Sequence, residues 1–256
     1  MTLIATLGMY DRAENAGAHD RLWALMRDAL RDMGQEAPTA LTRGDLAFMA
    51  GWIAPNLLFS QTCSLPFRAQ LSGQVQIIAA PDYALPDCPA GHYRSVYIAR
   101  KSAGFSCVAE AAGLDFAYNE ALSHSGWAAP FADHQARGLA LRPTLRTGAH
   151  RLSAQAVATG RADYAALDAL SWVMIQRYDG FARDLAVIGH TPPSPALPYI
   201  TAQGRDAAAL RAALGQAIAA LGAEDRASLH LSGIMDIPAS AYLALPIPPA
   251  PAEVNL

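Results

Sequence analysis

The chain has 256 residues, 52% of them hydrophobic and 16% charged, with a formal net charge of −3. This composition supplies enough apolar surface for one large domain or two of ordinary size. It excludes a global basic field that would recruit nucleic acid or anionic lipid, so any anion site has to be local.

In chain order, Met1–Leu7 reads as a first strand, followed by a loop from Gly8 to Asn15. Leu22, Trp23, Leu25, Met26, Ala29, Leu30 and Met33 then recur at three- and four-residue spacing, which predicts one apolar helix face ended by Gly34. Asn56–Ser60 is a strand, and Gln61–Pro66 turns into a helix with Pro66 in its first turn. Val75–Ala79 is a short buried strand, the segment 81–91 is turn-rich, and Tyr93–Arg100 is a longer strand. Arg100 and Lys101 read as its solvated end. Leu114–Asn119 leads as a strand into Ser123-His124-Ser125-Gly126, and a helix runs from Trp127 to about Arg137, stopped by Gly138. A short strand precedes Gly148-Ala149-His150, and a helix covers Leu152–Thr159. Tyr164–Leu167 is a strand that delivers Asp168, and Ser171–Tyr178 is a helix. Ala186–Gly189 and Tyr199–Thr201 are strands flanking a stretch stiffened by Pro192, Pro193, Pro195 and Pro198. Asp206 caps a long Ala/Leu helix that stops near Gly222, and the Pro-rich tail from Pro246 to Leu256 reads as loosely held.

The alternation predicts an α/β fold of two lobes. Residues 1–91 and 190–256 would form a discontinuous outer lobe, and 92–189 a contiguous inner one. Polar residues gather at the C-terminal ends of the predicted strands: Tyr10, Gln61 with Thr62, Ser123 to Ser125, His150 and Asp168. Open α/β sheets bind ligands outside those strand ends, so these groups would converge on a cleft between the lobes.

Ser123-His124-Ser125-Gly126 falls where a strand becomes a helix. The first N–H groups of a helix lack internal partners and favour negative charge, serines add hydroxyl donors, and glycine lets an anion approach the backbone. The same residues also make an ordinary serine N-cap. His124 could donate to an anion when protonated or point to solvent. Trp127, one residue past the motif, is a candidate cleft residue, whereas Trp23 and Trp172 belong to apolar helix faces. Asp168 could meet an ammonium or a protonated phosphoryl oxygen, or serve as a cap or hinge. Glu120 raises the same question with weaker support, and Asp163 shapes the turn before its strand.

No apolar stretch reaches the length of a membrane span, and the N-terminus lacks the pattern of a secretory signal, so the chain as written reads as cytoplasmic or as lacking its leader. Cys63, Cys88 and Cys107 have no zinc-ligand spacing. A Cys63–Cys88 disulfide and buried thiols are both open, with Cys107 left over. There is no nucleophile elbow, Walker loop or metal-ligand cluster.

Taken in order, these motifs resemble the phosphonate/phosphate substrate-binding components of ABC transporters. Ser123-His124-Ser125-Gly126 is similar to that family's Ser-Thr-Ser-Gly-like anion motif, with His124 in place of the commoner Thr. Tyr93-Arg94-Ser95-Val96 resembles its aromatic-led crossover strand. Gly148-Ala149-His150 followed by Gly160-Arg161-Ala162-Asp163 resembles its histidine, helix and Gly-x-x-Asp segment. Pro195-Ala196-Leu197-Pro198-Tyr199 is similar to its return strand.

The resemblance implies a type II periplasmic-binding-protein fold with two lobes around a ligand cleft. It implies a non-enzymatic receptor, without cofactor or metal, that captures a small phosphonate- or phosphate-like anion by lobe closure in the periplasm. Its partners would be that anion and an ABC permease, not nucleic acid, and it would act as a monomer. Ser123, His124, Ser125, Gly126 and His150 would hold the anion, with Tyr10, Gln61, Thr62, Tyr93 and Asp168 completing the site. An enzyme on the same fold and a cytoplasmic anion sensor are the competing readings.

Overall fold

The structure is a computed structural model that describes residues 2–254. The chain divides into two compact units: residues up to 92 with 195–244, and residues 93–194 with those from 245 onward.

The first unit is built on a five-stranded sheet in the order β1-β2-β11-β3-β12. Its strands are β1 (Ile4–Ala5), β2 (Leu57–Gln61), β3 (Val75–Asp82), β11 (Tyr199–Ala202) and β12 (Gly233–Met235). β1 and β2 run parallel, whereas β11 runs antiparallel to both β2 and β3, pairing Tyr199 with Gln61 and with Ala79. That topology brings the ends of β1 and β2 and the start of β11 to one sheet edge. The helix Ala16–Asp32 buries Leu22, Trp23, Met26 and Leu30 of the expected apolar face, and the Trp23 ring stacks on Phe59 at 6.1 Å. Ile4, Trp52, Leu57, Phe67, Leu71, Ile200 and Tyr242 belong to one core cluster of this unit. β2 is buried along its whole length, which is why it reads as an apolar run rather than an alternation.

The second unit holds a five-stranded sheet in the order β7-β6-β8-β5-β9. Its strands are β5 (Ser95–Arg100), β6 (Asp115–Tyr118), β7 (Arg142–Arg146), β8 (Tyr164–Asp168) and β9 (Leu185–His190). β6 is parallel to β7 and β8, and β5 is antiparallel to β8 and β9. The C-terminal ends of β6, β7 and β8 therefore share one edge, and Ser95 at the start of β5 pairs there with Asp168. Tyr97, Phe116, Trp127 and Tyr164 are the large side chains of this core.

Several expectations are corrected. The strand expected over Tyr93–Arg100 is two pieces, β4 (His92–Tyr93) and β5, interrupted at Arg94. The tail is not loose through residue 254. Trp127 Nε1 donates to Pro249 O at 3.0 Å, Pro251 is buried in a last helical turn, and residues from 245 onward belong to the second unit rather than to an outer lobe. The final two residues of that tail, and Met1 of the expected first strand, lie outside the described residues. Arg100 is not simply a solvated strand end: its Nη1 donates to Val157 O and Ala162 O at 2.9 Å each, and its Nη2 meets Asp163 at 3.3 Å. Cys63, Cys88 and Cys107 are present as thiols rather than in a disulfide.

Candidate functional site

In the second unit, β6 ends at Tyr118 and the helix begins at His124, three residues earlier than the apolar pattern indicates. The early start is a single wide turn. Ala128 N donates to Ser123 O at 3.0 Å, an i→i+5 bond, and α-helical geometry follows from Ala129 to Ala136. Such wide turns are rare and are frequent at functional sites. Ser123 is the N-cap: its Oγ accepts from Gly126 N at 3.0 Å. The capping reading therefore holds, and the hydroxyl keeps its own proton for a further acceptor. Ser123, His124, Ser125 and Gly126 are all buried.

His150 opens the helix His150–Ala158, which follows β7. Thr147 N and Gly148 N donate to Tyr118 O and Asn119 O at 2.9 Å, so the loop out of β7 runs beside the loop out of β6. The two helix starts then meet, with Ser125 Oγ 2.9 Å from His150 Nε2. The surroundings desolvate the half-buried ring, and that pushes its pKa down to about 4, so the imidazole is neutral near pH 7.

His124 does not point to solvent. It is buried, its Nε2 lies 2.8 Å from Ser194 Oγ, and its ring is tilted 46° against Tyr93 at 6.0 Å. Asp168 is buried and caps the helix Ala169–Tyr178, its Oδ1 accepting from Ser171 N at 2.9 Å. Trp127 is a fully buried core residue packed between Tyr118 and Phe131. Gly126 is also constrained by packing. A side chain there would run into Asn119 Oδ1, which fills the space beside its Cα.

The first unit gathers Tyr10, Gln61 and, unlooked for, Tyr83 and His19. Gln61 Nε2 donates to Tyr83 Oη at 2.8 Å and to Leu197 O at 3.0 Å, and the Tyr10 and Tyr83 rings meet edge-on at 5.6 Å. With His19 and Tyr199 they line a cavity of about 10 Å³, room for one water-sized group. His19 is buried, which lowers its pKa against the pull of Asp11, and its Nε2 lies 3.3 Å from Tyr10 O. Thr62 turns its hydroxyl back to Cys63 O at 3.3 Å. It is not an N-cap, since Cys63 occupies that position.

Tyr83 follows β3 directly, so the strand-end rule that selected Gln61 also reaches it. His19 lies inside the amphipathic helix, where periodicity marks burial and nothing more. Among the described residues, no group of three or more His, Cys, Asp or Glu is arranged to hold a metal, and no helix is long and apolar enough to cross a membrane.

Two α/β units, each on a mixed five-stranded sheet with polar residues at shared strand ends, have the architecture of the type II periplasmic-binding-protein fold. Residues 59–240 match the family described as ABC transporter, phosphonate, periplasmic substrate-binding protein, and the chain belongs to that family. The solved structure of PhnD1 from Prochlorococcus marinus in complex with methylphosphonate is similar with a TM-score of 0.70 at 15% identity, covering 94% of each chain. XAC2383 from Xanthomonas citri bound to chloride ion is similar with a TM-score of 0.68 at 16% identity, covering 99% of this chain and 96% of that one. The binding-protein component PA3383 of an ABC phosphonate transporter from Pseudomonas aeruginosa gives 0.67 at 19% identity, covering 92% and 82%. At these identities the likeness is one of fold. No curated protein matches the chain in sequence.

Proposed function

We propose that this solute-binding protein captures a small phosphonate- or phosphate-like oxyanion at the helix start Ser123–Gly126, outside the cytoplasmic membrane, and delivers it unchanged to an ABC permease. The observation that carries the reading is the 2.9 Å contact between Ser125 and His150, which sets a hydroxyl and a neutral imidazole beside a capped helix start. Oxyanions bind there because hydroxyl and amide donors replace the lost water and the helix dipole adds a favourable field. Tyr10 and Gln61, at strand ends of the first unit, are proposed to add contacts that favour the ligand-bound, closed state; a ligand shifts such an equilibrium only by its difference in affinity for the two states. The chain acts as a monomer and performs no chemistry on its ligand.

The test is calorimetric titration of the folded protein with phosphate, phosphite, methylphosphonate and aminophosphonates. Binding to one or more of them is expected. A folded protein that binds no oxyanion at all would sink the proposal, and turnover of any of them would replace it with an enzyme.

A further inference from the structure

Buried polar atoms without a hydrogen-bond partner among the described residues lie beside the helix start of the second unit. Asn119, the residue after β6, has a buried Oδ1 with no hydrogen-bond partner among the described residues. That oxygen rests against Gly126, whose missing Cβ position is also 3.2 Å from Ser123 Oγ. His150 repeats the situation. Its Nε2 is engaged with Ser125, while its Nδ1 is buried with no partner among the described residues. A neutral imidazole carries one N–H and one lone pair, so the Ser125–His150 pair offers a ligand one donor, from either the hydroxyl or the ring. Asn119 Oδ1 can only accept.

A buried acceptor destabilises until a donor meets it. A fully ionised oxyanion has no proton to give and is repelled by the Asn119 carbonyl dipole. A singly protonated oxyacid satisfies both needs, with ionised oxygens for the donors and one O–H for the acceptor. Resting on the oxyanion reading above, we infer that the site selects the singly protonated form of a phosphorus oxyacid, with its P–OH donating to Asn119 Oδ1. Asn119 is then a specificity-determining residue, separating phosphorus oxyacids from sulfur oxyanions of the same shape.

Of the titratable and charged groups on the elements around this point, Asp133 and His134 lie further along the helix, Asp133 held by Arg137 at 3.0 Å, and Arg151 is paired with Asp179 at 2.6 Å. His124 is on the same helix start, His150 opens the neighbouring helix, and Asp168 ends β8 as a cap. Glu120, next to Asn119, is paired with Arg146 at 2.9 Å. His150 is already neutral above its pKa of about 4. A loss of affinity in mildly alkaline solution therefore belongs to the ligand's own proton once His124 is controlled for.

The experiment titrates methylphosphonate and its aprotic isostere methanesulfonate into the full chain across the second ionisation of methylphosphonate. Affinity for methylphosphonate is expected to fall about tenfold per pH unit beyond that ionisation. The same fall is expected in His124→Asn. Methanesulfonate is expected to bind at least about tenfold more weakly below the ionisation, a difference set by one unmet buried acceptor. Asn119→Ala should remove most of this discrimination. Asn119→Asp, which is isosteric and keeps only acceptors, should enlarge it. The inference is overturned if native protein binds methanesulfonate as tightly as methylphosphonate, if the affinity is flat through the ionisation, or if Asn119→Ala leaves the ratio unchanged. Those results leave the oxyanion site standing; failure of both ions to bind would remove the site itself.

Discussion

Ser125 Oγ and His150 Nε2 lie 2.9 Å apart although 25 residues separate them. β6 and β7 are parallel neighbours, so the helices that follow them start at the same sheet edge. The contact follows from topology: two strand–helix units side by side put their helix starts together.

Ser125→Ala and His150→Ala should each weaken oxyanion binding without unfolding the protein. Losing a hydrogen bond to a charged group costs about 1.5–3 kcal/mol, so each variant should bind about 10- to 150-fold more weakly. Because the two side chains act as a pair, the double variant should lose less than the sum. Calorimetry on the three variants measures this, and strict additivity would mean that the two act separately.

The neutral state of His150 has a stability consequence. Its pKa in the folded protein, about 4, lies below the usual 6.5, so the unfolded chain binds the extra proton more readily. Its favourable contribution is complete above pH 6.5 and is lost as pH falls from there to 4, on the order of 3 kcal/mol in all. His19 and His134, also lowered by burial, act in the same direction. Thermal melts over this range should show His150→Gln to be less acid-sensitive than the native protein, and parallel melting curves would contradict the assignment.

Gly126→Ala should be costly although Gly126 sits in the wide turn without a positive φ. The new methyl would meet Asn119 Oδ1 and approach Ser123 Oγ, so the carboxamide must leave its place. Overpacking of this kind costs about 1–3 kcal/mol. Chemical denaturation of Gly126→Ala beside Gly126→Ala with Asn119→Ala should show the second change relieving the first.

Below the same helix, Tyr97 Oη donates to Asp133 Oδ2 at 2.9 Å, and Arg137 Nε holds the other carboxylate oxygen at 3.0 Å. Asp133 is buried, so Tyr97→Phe leaves a carboxylate oxygen short of a donor, a loss of about 1–3 kcal/mol. Asp133 is about 13 Å along the axis from His124 at 1.5 Å per residue, so stability should fall while oxyanion affinity stays as in the native protein. A lowered affinity would show that this network also shapes the helix start.

The sequence reveals the strand ends well because β6, β7, β8 and β2 each stop at a polar residue or run straight into one. That rule reaches Gln61, Ser123 to Ser125, His150 and Asp168, and applied once more it reaches Tyr83. What it misses is decided by side chains folding back across space. Asn119 reads as the last residue of a strand, and nothing local says that its carboxamide lies against Gly126. Trp127 is hard to place for a similar reason: helical spacing marks a face but not the neighbour it meets, here Tyr118, Phe131 and the carbonyl of Pro249. The return of the Pro-rich tail to the second unit is equally non-local, since a run of prolines carries no signal of its packing partner.

The most direct measurement follows the backbone amides while methylphosphonate is titrated into isotope-labelled protein. With the oxyanion seated on this helix start, the largest amide shifts fall at Ser125, Gly126 and Trp127, accompanied by the His150 ring. Saturable shifts clustered elsewhere, with those amides unmoved, would contradict the account.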